Sequence, residues 1–319
     1  MTLLGYRNPA RRLWNAARGL LHRRAAAAAS DRPFFVVGHR GAARFEAENT
    51  IPSFEKGLEL GANAVETDVC VTRDGHFVLW HDCHPDDKVA VARQAGAEKD
   101  YLYDPEVPAV GSRWRRAVPE LTLEELRAHY GYVPRKGRRP AKARVGIALL
   151  ADFFEWSRRE ERLELVCLDV KLGENEGAAA RDLASSIRDG LRAGRIRKDL
   201  SVALLCPHEE TLQAVLTESR REPLGKNVGI FGDFEFPGGL DFAKRFGMRC
   251  LSFGVSRRFW AGFRDELARV LAAREAGRID EILVWTINEE EQLRELVDLG
   301  VDGILTDDSA LLRRIAGVR

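Results

Sequence analysis

The sequence predicts a (β/α)8 barrel, a TIM barrel of the α/β class, from the pattern of its apolar residues and from its length. From residue 33 onwards, short apolar runs alternate with amphipathic stretches, which is the pattern of βα units that build a parallel sheet. Eight main strands can be counted in this pattern, and a parallel sheet can close into a barrel at that number. The 319 residues, 45% of them hydrophobic, suffice for one such barrel and its core.

The predicted elements follow one another in the order that this fold requires. A helix begins after Thr50, with Pro52 in its first turn, where the missing N–H group costs nothing. The same helix ends at Gly61, and an additional short strand is predicted at 77–80. The eight main strands are predicted at 34–37, 64–69, 163–170, 201–205, 228–231, 250–253, 282–286 and 303–305.

The chain divides into a basic N-terminal arm, residues 1–32, and a barrel domain, residues 33–319. The barrel domain carries an insertion at about 82–146, after the second strand region. This insertion is rich in charge and proline and contains one clear helix at 123–129, which a capping-box sequence introduces. Because its apolar content is low, we expect it to cover the barrel without forming a separate core.

The composition argues against several classes of protein. Fifty basic side chains balance 49 acidic ones and give a net charge of +1, so the chain lacks the basic surplus of a nucleic-acid-binding protein. The five cysteines lie far apart without a CxxC pair, which predicts reduced thiols in a cytoplasmic protein rather than a disulfide framework. No apolar run approaches the ~18 residues of a membrane span.

The N-terminal arm contains six arginines and no acidic residue before Asp31. Leu13, Trp14 and Leu20 would share one face of a helix, opposite the arginines. This pattern is compatible with peripheral contact with an anionic membrane surface. A solvated tail is the alternative, because the alanine run at 25–29 has little surface to bury.

Polar residues recur at the downstream ends of the predicted strands. In a (β/α)8 barrel the active site is built at the C-terminal face, where these strand ends converge. One polar residue at a strand end proves nothing, but their recurrence at several strands predicts a site. The residues concerned are His39, Arg40, Glu66, Asp68, His81, Asp169, Lys171 and Trp285.

Three of these residues form a candidate metal site. Glu66 and Asp68 are two residues apart, so that both side chains point to the same face of an extended strand. Asp169 arrives from the next main strand as a third carboxylate. One hard divalent cation, Mg²⁺ or Ca²⁺, is the natural partner of such an all-oxygen set. Ion pairs with the abundant arginines are the alternative interpretation.

The two histidines predict acid–base chemistry at a phosphodiester. Imidazole titrates near neutrality, so His39 and His81 can remove a proton from the attacking oxygen and donate one to the leaving alkoxide. Arg40 and Lys171 are cations suited to phosphoryl oxygens. Metal-dependent amidohydrolase barrels begin with His-x-His, which is absent here. Metal-free phospholipase C enzymes specific for phosphatidylinositol would leave the paired carboxylates unexplained.

Several motifs together resemble the glycerophosphodiester phosphodiesterase family, over roughly residues 34 to 312. Five blocks occur in order at fitting spacings near the N-terminus, which makes this part of the resemblance highly specific. They are His39-Arg40-Gly41, Glu48-Asn49-Thr50, Glu66-Thr67-Asp68, Thr72-Arg73-Asp74-Gly75 and His81-Asp82. Two blocks near the C-terminus resemble the last two strands of the family, Val284-Trp285-Thr286-Ile287-Asn288 and Gly300-Val301-Asp302-Gly303-Ile304-Leu305-Thr306-Asp307.

The resemblance implies a TIM-barrel enzyme that hydrolyses a small glycerophosphodiester to an alcohol and glycerol 3-phosphate with one divalent cation. The family's third metal ligand is usually a glutamate two residues before a lysine, whereas Asp169 stands before Lys171 here. The implied roles are catalysis for His39 and His81, metal binding for Glu66 and Asp68, phosphate binding for Arg40, support of the site for Glu48 and pocket lining for Trp285.

Two alternatives stay open from the sequence. A lysophospholipid substrate would make the chain a lysophospholipase D, which a wide apolar entrance and the amphipathic arm would favour. A protein that binds phosphodiesters without cleaving them is the second alternative. It is disfavoured because the histidines, the carboxylates and Lys171 are all present.

Overall fold

A computed structural model describes residues 33–173, 175–255 and 259–318 of the chain. In it, eight parallel strands close into a barrel, which confirms the predicted fold class. The chain closes the barrel by pairing its first strand with both the second and the last one. The barrel strands are β1 (Phe35–Gly38), β2 (Ala64–Val71), β7 (Leu165–Val170), β8 (Ser201–Cys206), β9 (Val228–Glu235), β10 (Cys250–Gly254), β11 (Glu281–Trp285) and β12 (Gly303–Thr306).

Helices surround this barrel, and two short strands extend the sheet beside the downstream end of β2. Strand β3 (Phe77–Leu79) pairs antiparallel with β2, and β6 (Ala148–Leu149) pairs antiparallel with β3. The helices outside the insertion are α1 (Ile51–Glu59), α4 (Leu150–Ser157), α5 (Gly177–Arg192), α6 (Glu209–Arg221), α7 (Gly239–Phe246), α8 (Trp260–Glu275), α9 (Glu290–Leu299) and α10 (Ser309–Ala316).

The apolar side chains of each barrel strand belong alternately to two clusters, because successive side chains of a strand point to opposite faces. One face of each strand packs against the helices, as Val36, Val166 and Ile304 do. The other face fills the inside of the barrel with a smaller cluster. The fully or nearly buried members of this inner cluster are Phe35, Val37, Ala64, Leu165, Cys167, Ala203, Leu205, Phe231, Leu283 and Leu305.

The insertion has more structure than the sequence predicted. Its helix α3 (Leu123–His129) lies where it was expected and begins with the predicted capping box. A further helix, α2 (Lys88–Gln94), and a two-stranded antiparallel sheet of β4 (Tyr103–Glu106) and β5 (Gly131–Pro134) were not expected. A single turn of 3₁₀ helix lies at Val118–Glu120.

The insertion contributes to a second apolar cluster, in which aromatic side chains compensate for its low aliphatic content. The cluster is shared with the barrel sheet and is not a separate core. The Trp80 ring lies 4.9 Å from the Tyr132 ring and 6.2 Å from the Tyr130 ring, measured between centroids. Cys70 of β2 and Val78 of β3 belong to the same cluster. The insertion therefore packs against the barrel sheet at β2 and β3.

The N-terminal arm lies outside the described residues, so its contact with a membrane stays a prediction. Among the residues that the structure describes, no helix has the length and apolar character needed to span a bilayer. All five cysteines are free thiols, as the sequence predicted.

Candidate active site

A cavity of about 810 Å³ opens at the C-terminal ends of the barrel strands. It brings together seven of the nine residues that the sequence predicted for the site. These are His39, Arg40, Glu66, His81, Asp169, Lys171 and Trp285. The other two, Glu48 and Asp68, are buried and contact Arg40 directly.

The site exists because the inner face of the barrel changes from apolar to polar along the strands. Side chains two residues apart point to the same side of a strand, so the next inward position after each apolar residue lies at the cavity. Val37 is followed in this way by His39, Ala64 by Glu66, Cys167 by Asp169, Phe231 by Asp233, Leu283 by Trp285 and Leu305 by Asp307.

The carboxylates of Glu66, Asp68 and Asp169 form one acidic cluster, in which each offers an oxygen within 4.8 Å of the others. Asp68 and Asp169 are direct partners in the register of β2 and β7. Burial and the charge of Asp68 raise the pKa of Glu66 to about 8. Burial also raises the pKa of Asp169. The cluster thus holds more negative charge than its surroundings stabilise.

Neighbouring cations neutralise only part of this cluster. Asp68 forms ion pairs with Arg40, at 3.1 Å between Oδ2 and Nε, and with Lys171, at 3.5 Å between Oδ1 and Nζ. Lys171 Nζ also lies 2.5 Å from Asp169 Oδ2. Glu66 accepts a hydrogen bond from the backbone N–H of Arg40 at 2.9 Å. Asp169 Oδ1 is buried and has no hydrogen-bond partner among the described residues. An all-oxygen set with one unpaired buried oxygen fits a hard divalent cation.

His39 is held by a carboxylate at the end of β12. Its Nδ1 lies 2.8 Å from Asp307 Oδ1, and Asp307 also accepts hydrogen bonds from Tyr101 Oη at 3.0 Å and from Asn288 Nδ2 at 2.6 Å. Burial and the charge of Arg40 lower the pKa of His39, but the hydrogen bond and charge of Asp307 outweigh them. The pKa of His39 is consequently raised, which favours the protonated ring.

His81 is also held by a carboxylate, but in a different electrostatic setting. Its Nδ1 lies 2.6 Å from Oδ1 of Asp82, and the guanidinium of Arg93 donates from Nε to the same oxygen at 3.0 Å. Burial and the charges of Arg40, Lys171 and Arg93 lower the pKa of His81 well below its usual value. The two shifts run in opposite directions, so the neutral ring is favoured more at His81 than at His39.

Arg40 and Arg93 share their carboxylate partners, Glu48 and Glu98. Arg40 Nη1 lies 3.0 Å from Glu48 Oε2 and 3.2 Å from Glu98 Oε1, and Arg93 donates to both carboxylates as well. Arg40 has a left-handed backbone, with φ at 51°, a conformation that is uncommon for residues other than glycine. The network holds Arg40 in this conformation at the edge of the cavity.

Asn49 explains the second motif block in structural terms. Its side chain donates from Nδ2 to Asp68 Oδ2 at 2.8 Å. Its Oδ1 accepts hydrogen bonds from Thr67 Oγ1 at 2.8 Å and from the Asp68 backbone N–H at 3.1 Å. Asn49 also has a positive φ, at 55°. One side chain thus fixes the orientation of a carboxylate in the acidic cluster.

Sequence reasoning assigned no role in the site to Arg93, Tyr101, Asp233, Asn288 or Asp307. Asp307 and Asn288 lie within motif blocks already quoted, so a signal for them existed. Asp233 was missed because β9 was predicted to end at residue 231, whereas it continues to residue 235. Arg93 and Tyr101 come from the insertion, where no strand periodicity indicates which side chains reach the cavity.

Known proteins resemble this chain over most of its length. A model of the glycerophosphoryl diester phosphodiesterase family matches residues 39–311 of the chain. A glycerophosphodiester phosphodiesterase of Bacillus altitudinis is 25% identical over 277 residues, which cover 85% of this chain and 94% of that protein.

Solved structures of other proteins share the fold. A candidate glycerophosphoryl diester phosphodiesterase from Silicibacter pomeroyi has a TM-score of 0.68 at 21% identity, with 90% of this chain and 94% of that chain covered. A phosphodiesterase from Oleispira antarctica, solved in complex with the product sn-glycerol-3-phosphate, has a TM-score of 0.60 at 16% identity, with 88% and 96% covered. At these identities the likeness to both structures shows the fold alone.

Proposed function

The chain belongs to the glycerophosphoryl diester phosphodiesterase family, and we propose that it hydrolyses glycerophosphodiesters to an alcohol and sn-glycerol 3-phosphate. Two buried histidines, each bound to a carboxylate, share one cavity with an all-oxygen acidic cluster. This observation carries the proposal, because phosphodiester hydrolysis needs an acid, a base and positive charge at the phosphoryl group.

Glu66, Asp68 and Asp169 are the proposed ligands of one divalent cation, Mg²⁺ or Ca²⁺. The unpaired Asp169 Oδ1 and the raised pKa of Glu66 support this assignment. The shorter side chain of Asp169, compared with the glutamate usual in the family, still brings an oxygen within 4.8 Å of the other two carboxylates. A cation bound there would neutralise charge on the phosphoryl oxygens of the substrate.

The two histidines divide the proton transfers between them. His81 has the lowered pKa, so its neutral ring accepts a proton from the water molecule that attacks the phosphorus atom. His39 has the raised pKa, so its protonated ring donates to the leaving alkoxide as the phosphorus–oxygen bond breaks. Lys171 and Arg40, which line the cavity, would bind the phosphoryl oxygens, and Glu48 would support Arg40.

A small, polar substrate fits the wall of this cavity better than a lysophospholipid. Most of the lining side chains are charged or polar, and the apolar ones are few: Leu205, Pro207, Phe234, Trp285 and Leu305. The Oleispira antarctica phosphodiesterase was solved with sn-glycerol-3-phosphate, which is the product that we propose for this chain. A lysophospholipid therefore serves as the comparison substrate in the test.

The test is release of sn-glycerol 3-phosphate and choline from glycerophosphocholine by the purified full-length chain. The assay is run after EDTA treatment and again after Mg²⁺ or Ca²⁺ is restored, beside lysophosphatidylcholine. We expect equimolar products from glycerophosphocholine only when a cation is restored. Choline release from lysophosphatidylcholine alone would contradict the proposed substrate, and full activity in EDTA would contradict the proposed cation.

A further inference from the structure

Asp233 is a buried carboxylate in the wall of the cavity that the proposed hydrolysis does not use. Its residue is only 3% exposed, and it occupies the inward position of β9 after Phe231. Among the described residues, no lysine, arginine or histidine pairs with it. Its oxygens also lie outside the acidic cluster formed by Glu66, Asp68 and Asp169. Ser252, Lys171 and Trp285 compensate part of the cost of burying this carboxylate, and a ligand with hydrogen-bond donors would compensate more of it.

The neighbouring Trp285 holds Asp233 in place. The indole Nε1–H donates a hydrogen bond to Asp233 Oδ1 at 2.6 Å, although the two residues lie on β11 and β9, with β10 between them. This reach depends on Gly254 of β10, which pairs in register with Trp285. A Cβ atom at Gly254 would come within 2.3 Å of the indole ring. Three adjacent strands therefore combine to present one carboxylate and one aromatic ring to the cavity.

Asp233 and Trp285 lie near the proposed phosphate-binding groups, and this position limits which ligands they can bind. Asp233 and Trp285 line the same cavity as Lys171 and Asp169. Burial raises the pKa of Asp233 to about 7, and the charge of Asp169 adds to that effect. Because Asp233 shares one cavity with Lys171, a group bound at Asp233 would belong to the same small substrate as the phosphate.

We propose that Asp233, held in position by Trp285, accepts hydrogen bonds from the hydroxyl groups of the substrate's glycerol. This inference rests on the proposed function. A carboxylate is an acceptor only and can take two donors at once, and glycerol attached to a phosphate offers two hydroxyl groups in reach of one side chain. The indole face supplies an apolar surface for the glycerol carbon atoms. Asp233 would in this way distinguish glycerophosphodiesters from diesters without hydroxyl groups.

A cationic ammonium group in the alcohol half of the substrate is the other ligand that a carboxylate and an aromatic ring could bind. The two possibilities differ in which substrates they affect. Hydroxyl recognition applies to every glycerophosphodiester, whereas ammonium recognition applies only to those with a cationic alcohol. Glycerophosphoglycerol carries no cation and glycerophosphocholine carries one, so that this pair of substrates separates the two.

The experiment compares kcat/KM of the wild type, Asp233→Asn and Trp285→Phe on glycerophosphoglycerol, glycerophosphocholine and bis(p-nitrophenyl) phosphate. We expect the ratio of each glycerol diester to bis(p-nitrophenyl) phosphate to fall roughly 10- to 100-fold in Asp233→Asn, as for loss of hydrogen bonds to a charged group. Trp285→Phe, which removes the donor to Asp233 but keeps an aromatic ring and leaves the carboxylate in place, should lower the same ratio less. The inhibition constant of sn-glycerol 3-phosphate should rise relative to that of inorganic phosphate.

Glu235→Gln is the matched control, because Glu235 lies two residues further along β9 at the exposed rim of the same cavity. Its substrate ratio should stay close to that of the wild type. An unchanged ratio in Asp233→Asn would overturn the inference, as would a loss confined to glycerophosphocholine. Wild-type turnover of bis(p-nitrophenyl) phosphate without turnover of either glycerol diester would overturn the proposed function itself, before any variant is compared.

Discussion

The two histidines of the site are supported by different regions of the molecule. His39 is bound by Asp307, which follows the last barrel strand and is fixed by Asn288 after β11. His81 is bound by Asp82, which is fixed by Arg93 from helix α2 of the insertion. The barrel therefore supplies the carboxylate and the amide that support His39, with one further hydrogen bond from Tyr101 of the insertion. The support of His81 comes from Asp82 and from the insertion's Arg93.

The difference in support explains the opposite pKa shifts of the two rings. Asp307 pairs with no arginine or lysine among the described residues, so its negative charge acts on His39 and raises the pKa of that ring. Asp82 shares its charge with Arg93, and burial together with the positive charge of Arg40 lowers the pKa of His81. The same pairing of histidine with carboxylate can thus produce an acid in one setting and a base in the other.

Replacing each histidine by alanine should have the largest effect and should show which is the acid. Both His39→Ala and His81→Ala should lower kcat on glycerophosphocholine by about 100- to 10,000-fold. On bis(p-nitrophenyl) phosphate, whose leaving group needs no proton, His39→Ala should lose far less than His81→Ala. The reverse order of losses on this substrate would contradict the assigned roles. His84→Ala is the control, since His84 is exposed on the insertion.

Glu66→Gln removes one carboxylate from the acidic cluster. We expect this variant to bind the divalent cation at least about 100-fold more weakly than the wild type. Loss of a group that only orients a metal ligand typically weakens metal binding 10- to 100-fold, and loss of a carboxylate that binds the metal itself should cost more. Because the pKa of Glu66 in the cation-free protein is about 8, the wild type should release a proton on binding Mg²⁺ below pH 8 and bind it more tightly as pH rises to that value.

Calorimetry in two buffers with different heats of ionisation measures this proton release. The release should disappear in Glu66→Gln and persist in Glu235→Gln. Binding heats that do not depend on the buffer in the wild type would mean that Glu66 is not the group that loses the proton.

The Asp307→Asn variant should make His39 resemble His81 by removing the charge that raises its pKa. Activity requires His39 protonated, so kcat/KM falls as pH rises through the pKa of that ring. The variant lowers this pKa, and the basic limb of the pH profile should therefore move to lower pH, while kcat drops roughly 10- to 100-fold. The acid limb, which reports His81, should stay in place. Movement of the acid limb alone would contradict these roles and would make His39 the base and His81 the acid.

The sequence predicts the barrel half of this site better than the insertion half, and the reason is periodicity. Barrel strands alternate with period two, so the inward positions that carry Glu66, Asp68 and Asp169 can be read from strand ends. The same rule would have found Asp233 had β9 not been ended four residues early. Arg93 lies on a seven-residue helix whose buried positions are only Ala90 and Arg93, and no periodic pattern indicates that its guanidinium reaches Asp82.

Arg93→Lys should have the smallest effect and should act on the His81 side only. Lysine keeps the charge but not the planar fork that binds Asp82, Glu48 and Glu98 together. We expect kcat to fall about 3- to 10-fold with little change in KM. With Arg93→Met, the positive charge is lost and the charge of Asp82 is no longer shared, so the pKa of His81 should rise and the acid limb should move to higher pH. The basic limb should not move.

Arg115→Lys is the matched control for Arg93, because Arg115 also anchors the insertion. It donates hydrogen bonds to Asp86, Pro85, Pro108 and Gln94 but makes none to Asp82. A general loosening of the insertion would lower the activity of both variants to a similar extent and leave the pH profile in place. A shift of the acid limb in Arg93→Met alone would show that helix α2 sets the protonation of His81, and that the insertion is part of the acid–base machinery.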